Sequence, residues 1–83
     1  MSTPKAIIML WQVGSPKKAG DALRSIQQGV RYFNEKYGVP ASVVVVREEQ
    51  AVAWGLDGSV EGCRVVRAKK ALPPGCVEVI GQK

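Results

Sequence analysis

The chain has 83 residues, 46% of them apolar, and carries twelve Lys and Arg against seven Asp and Glu for a net charge of +5, with two cysteines and no histidine. Without histidine there is no His-based acid–base chemistry, no Ser-His-Asp or Cys-His nucleophile pair and no His-containing metal site, and two cysteines are too few for structural zinc. The length predicts a single domain spanning 1–83, small enough to hide only about 60–65% of its unfolded surface, and the positive charge permits nucleic acid or a small anion as partner while also keeping a small protein in solution.

The first apolar stretch, "AIIMLWQV" (6–13), is far short of the ~20 residues that span a bilayer. Only Lys5 precedes it as an n-region charge, and no convincing cleavage site follows. It reads as a buried strand, which points to a cytoplasmic protein with no membrane partner. Ile7, Met9, Trp11 and Val13 share one face; Ala6, Ile8, Leu10 and Gln12 share the other.

"GSPKKAGDALRSIQQGVRYFNEKYG" predicts a turn and a helix over 16–37, with Ser15 as N-cap, Pro16 in the first turn and Gly38 as the stop before Val39-Pro40. At helical spacing Ala19, Ala22, Leu23, Ile26, Val30, Phe33 and Tyr37 fall in an arc of about 100°, one buried stripe. Lys17, Asp21, Arg24, Gln28, Arg31 and Glu35 lie opposite. The valines at 43–46 then form a second strand, also apolar on both faces, as in parallel sheets covered on both sides. Strand, helix, strand is a right-handed crossover that makes the first two strands parallel.

"EEQAVAW" (48–54) predicts a short helix with acids in its first turn; the competing reading is a strand through Val52, Trp54 and Leu56 ending at the Asp57-Gly58 turn. "CRVVRA" (63–68) and "CVEVIG" (76–81) are two further strands. The seven residues between them, "KKALPPG", are too few for a parallel crossover, which predicts an antiparallel hairpin at or near a sheet edge. In that register Cys63 and Cys76 stand about 16 Å apart, so both are expected as free thiols. The expected fold is therefore α/β, a βαβ unit followed by a hairpin.

Three sets of residues are candidates for function. At the carboxyl ends of the first two strands, Gly14, Ser15, Lys17, Lys18 and Arg47 have the makings of an anion cradle at a helix start, though the stretch matches neither GxxxxGK[ST] nor GxGxxG and no cofactor or metal is expected. Arg64, Arg67, Lys69 and Lys70 are the candidate nucleic-acid contacts, set against a helix whose charges alternate in sign like a solvated face. Ile7, Met9, Trp11 and Trp54 are the candidate interface, because one long helix cannot cover both faces of two strands that are apolar on both sides, and Trp and Met are enriched at interfaces. The competing intramolecular reading has residues 48–60 fold back and hide Trp11 beneath Trp54. Glu48-Glu49, the one adjacent carboxylate pair, points two ways and makes no acid–base dyad.

These observations predict a non-catalytic binding or assembly subunit that self-associates into a homo-oligomer. A basic nucleic-acid-binding accessory protein is the alternative, and a small anion-binding enzyme the third reading.

Overall fold

In chain order the elements are β1 (Ala6–Gln12), α1 (Ala19–Tyr37), β2 (Ala41–Arg47), α2 (Glu48–Ala53), β3 (Ser59–Val60), β4 (Cys63–Ala68) and β5 (Cys76–Gln82), in a computed structural model that describes residues 6–56, 58–68 and 72–82. The protein is of the α/β class, with both helices lying against a mixed five-stranded sheet of order β1-β5-β2-β4-β3.

β1 and β2 point the same way, as a crossover requires, but they are not neighbours. β5 lies between them and pairs antiparallel with both, setting Met9 opposite Val79 on one side and Val44 opposite Val79 on the other. The expected hairpin of the last two strands is therefore not formed: β4 pairs parallel with β2, and β5 lies beyond β2. The seven-residue connection rules out a parallel return but does not require adjacency. Its extended reach is about 24 Å, whereas a strand two places away is only about 10 Å distant. Arg47, at the end of β2, donates from Nη1 to the carbonyl of Leu72 at 3.3 Å, tying this connection down at the end of the strand it passes.

α1 begins at Ala19, three residues later than expected, with Lys18 as an N-cap that makes no side-chain bond. The preceding segment is held elsewhere. The N–H groups of Val13 and Gly14 both donate to the carbonyl of Gly75, at 2.7 and 3.0 Å, so Ser15 and Pro16 belong to the loop and not to a first helical turn. At the other end Gly38 adopts φ 68° and donates its N–H to Asn34, the left-handed stop that glycine favours. For residues 48–54 the helical reading is the one found, as α2, which ends at Ala53 with Trp54 as its C-cap.

α1 buries Ala22, Ile26, Gly29, Val30 and Phe33 against Met9, Val44, Val46, Val77 and Val79, and the same cluster takes in Ala51, Trp54 and Leu56. Arg67, which shares the face of its register partner Val46, donates from Nη2 to the carbonyl of Leu56 at 3.4 Å. The segment from α2 to Leu56 thus lies on the same side of the sheet as α1. The sheet has one layer of helix on one face, and the two-sided cover expected for its apolar strands is absent among the described residues.

β3 is two residues long and joins β4 through Glu61 and Gly62, whose φ angles of 49° and 79° fit the two-residue turn that matches strand twist. Cys63 and Cys76 are free. The reason is the sheet order: β2 stands between their strands, and Cys63 faces the core while Cys76 lies on the opposite face.

Candidate functional site

Strand alternation assigns every side chain of the sheet to one of two faces. Ile7, Met9 and Trp11 turn toward α1. The indole N–H of Trp11 donates to Ser25 Oγ at 3.3 Å, and its ring centroid stands 5.7 Å from that of Tyr32. Met9 and Trp54 are buried, and Ile7 and Trp11 pack on the same core. Ile7, Met9, Trp11 and Trp54, expected to face a partner, instead turn toward the chain's own helices. Periodicity could not choose between the two faces of β1, since both are apolar.

The other face carries Ile8 and Leu10 of β1, Cys76, Glu78 and Ile80 of β5, Val43 and Val45 of β2, and Arg64, Val66 and Ala68 of β4. Register sets Ile8 beside Ile80 and Leu10 beside Glu78, then Ile80 beside Val43 and Glu78 beside Val45. Ile8 is 57% exposed and Leu10 55%, both on the outermost strand, while Val43, Val45, Val66 and Ile80 are half-buried by their neighbours. Glu78 is a half-buried carboxylate amid this apolar group, and among the described residues no cation pairs with it.

The cradle residues are not gathered into one site. β5 begins between the carboxyl ends of β1 and β2, keeping Gly14 to Lys18 a strand away from Arg47. The amide of Gly14 is taken by Gly75, whose approach is so close that a Cβ on Gly75 would stand 2.8 Å from the Gly14 carbonyl oxygen. Arg47 is taken by Glu49 and the Leu72 carbonyl. Lys17 and Lys18 are exposed.

Among the nucleic-acid candidates, Arg64 lies on the open face and Arg67 on the helix-covered face, where it holds Leu56, so these two do not share a surface. Lys69 and Lys70 lie outside the described residues. Among the described residues there is no enclosed pocket, no cluster of metal-binding side chains and no helix long and apolar enough to cross a membrane.

Among the described residues, Cys63 is the one chemically reactive group with a perturbed environment. Its Sγ donates to the Ala41 carbonyl at 3.3 Å, and burial, with the Glu61 carboxylate second, pushes its pKa up. A thiol held protonated in a core is a poor nucleophile.

No protein-family model, curated protein or solved structure matches this chain.

Proposed function

We propose that the protein is a non-catalytic binding or assembly subunit that associates with itself through the exposed apolar residues that β1 presents on the side of the sheet opposite α1. The observation that carries this reading is the exposure of Ile8 and Leu10, 57% and 55%, beside a further group of half-buried valines and Ile80. Contiguous apolar surface of this kind is costly in water, at roughly 25 cal/mol per Å², and its usual meaning is a contact with another macromolecule.

The test is the mass in solution. Sedimentation equilibrium should show self-association of the wild type in the micromolar range, and Leu10→Lys, which places a charge on an exposed position without touching the core, should return a folded monomer. A wild type that stays monomeric across that range rejects the reading.

A further inference from the structure

The geometry points to a specific partner for this surface: a second copy of the same chain, joined edge to edge through β1 about a two-fold axis at Met9. This rests on the self-association proposed above and fixes its mode.

The two edges of the sheet differ. β3, at one edge, is two residues long and ends at once in the Glu61-Gly62 turn, which leaves little backbone to pair. β1, at the other, is seven residues, AIIMLWQ. Its pairing with β5 runs without a bulge from Ala6 to Gln12, and none of its side chains is charged. Pro, Lys, bulges and shortness are the devices that keep an edge from pairing with another chain, and β1 has none of them. Its outer row of N–H and C=O groups pairs with no strand among the described residues. What completes such a row is another strand.

That strand is supplied by the symmetry of β1 itself. Met9 is the middle residue of Ala6–Gln12, so an antiparallel pair centred there sets Ile8 opposite Leu10 of the partner and Leu10 opposite Ile8. The two exposed large apolar side chains of the open face then cover one another across the axis. On the helix side Trp11 stands opposite Ile7 of the partner. Such an interface is isologous and closes at two copies. Stacking two open faces is the competing arrangement, and Glu78 opposes it. Lying between Leu10 and Val45, it would enter the middle of a stacked interface as a desolvated charge, which is strongly unfavourable unless paired. Edge pairing leaves Glu78 in water.

Directional cross-linking tests the register. Two proteins are made in a Cys76→Ser background, one with Ile8→Cys and the other with Leu10→Cys. They are mixed and oxidised mildly after circular dichroism has verified folding. Residues directly opposite stand about 4.5–5.5 Å apart, within disulfide reach, whereas like residues on the two strands are diagonal neighbours at about 7–8 Å, beyond it. The mixed disulfide should therefore exceed either homodimer several-fold. Equal amounts of all three products, or efficient linking of a Val43→Cys variant to itself, from a wild type that is dimeric would overturn edge pairing and leave self-association standing. A wild type monomeric by sedimentation through the micromolar range overturns both.

Discussion

Gly29 on α1 lies against the indole of Trp11 on β1, so closely that a Cβ at that position would stand 2.8 Å from Cγ and Cδ2. The contact joins the helix to the edge strand, and only a residue without a side chain permits it. Gly29→Ala gains about 1 kcal/mol of helix propensity but forces the indole away from Ser25 and Tyr32, and overpacking of this kind costs about 1–3 kcal/mol. The net effect should be a loss of stability of about 1 kcal/mol. Gly20, in the same helix, has nothing within 4 Å of its would-be Cβ, so Gly20→Ala should stabilise by about 0.4–1 kcal/mol. Urea midpoints of the two variants should move in opposite directions. A stabilised Gly29→Ala would mean that Trp11 does not occupy this place.

The same contact shows what could and could not be read from the sequence. The local signals sufficed for elements: the residues 63–68 read as a strand are those of β4, and the C-terminal stop of α1 falls where Gly38 puts it. Neighbour relations did not follow, because the connection between β4 and β5 limits distance and direction without specifying which strand lies between. Facing did not follow either. Ile7, Met9 and Trp11 are as apolar as Ile8 and Leu10, so alternation gives two equivalent stripes and does not say which of them faces the helix. One signal in the sequence does distinguish them. Gly29 falls inside the buried arc with Ile26, Val30 and Phe33, and a glycine in the buried stripe of a helix provides room for a large side chain opposite, here an indole. Glu78 is a second signal: a charge among apolar residues marks the face of β5 that keeps access to water. The scattered anion residues failed for a different reason, since the insertion of β5 between two strand ends is a non-local event.

Cys63 gives the fold a dependence on alkaline pH. Its thiol ordinarily ionises near 9.0, and burial, then the Glu61 carboxylate, raises that value in the native state. Above the ordinary value the unfolded chain has released the proton while the native chain still holds it. Stability therefore falls as pH rises through that point and goes on falling until the native thiol ionises as well. The urea midpoint should drop between about pH 8 and pH 10, and it should drop less in Cys63→Ala, whatever that variant costs at neutral pH through its small cavity. Identical slopes in the two proteins would show that Cys63 does not carry this dependence. Alkylation at neutral pH should label half-buried Cys76 well before buried Cys63.

Glu78 is the residue on which the use of the open face turns. It sits on β5 between Leu10 and Val45, with Ile80 and Cys76 two residues away along the strand on the same face. A carboxylate there contributes nothing to the core, and valine is the better strand former, so Glu78→Val should leave the monomer fold as stable or raise its stability by up to about 1 kcal/mol. Its effect on association should be the larger one. With the charge removed, Ile8, Leu10, Ile80, Val43, Val45 and the new valine make one uninterrupted apolar surface, and stacking of open faces is no longer opposed by a desolvated carboxylate. Light scattering should then show concentration-dependent species larger than any formed by the wild type. If Glu78→Val instead dissociates the wild-type assembly, the carboxylate meets a cation of the partner, and the faces stack with Glu78 inside the contact. An association state unchanged from wild type would show that the carboxylate is not what keeps two open faces apart.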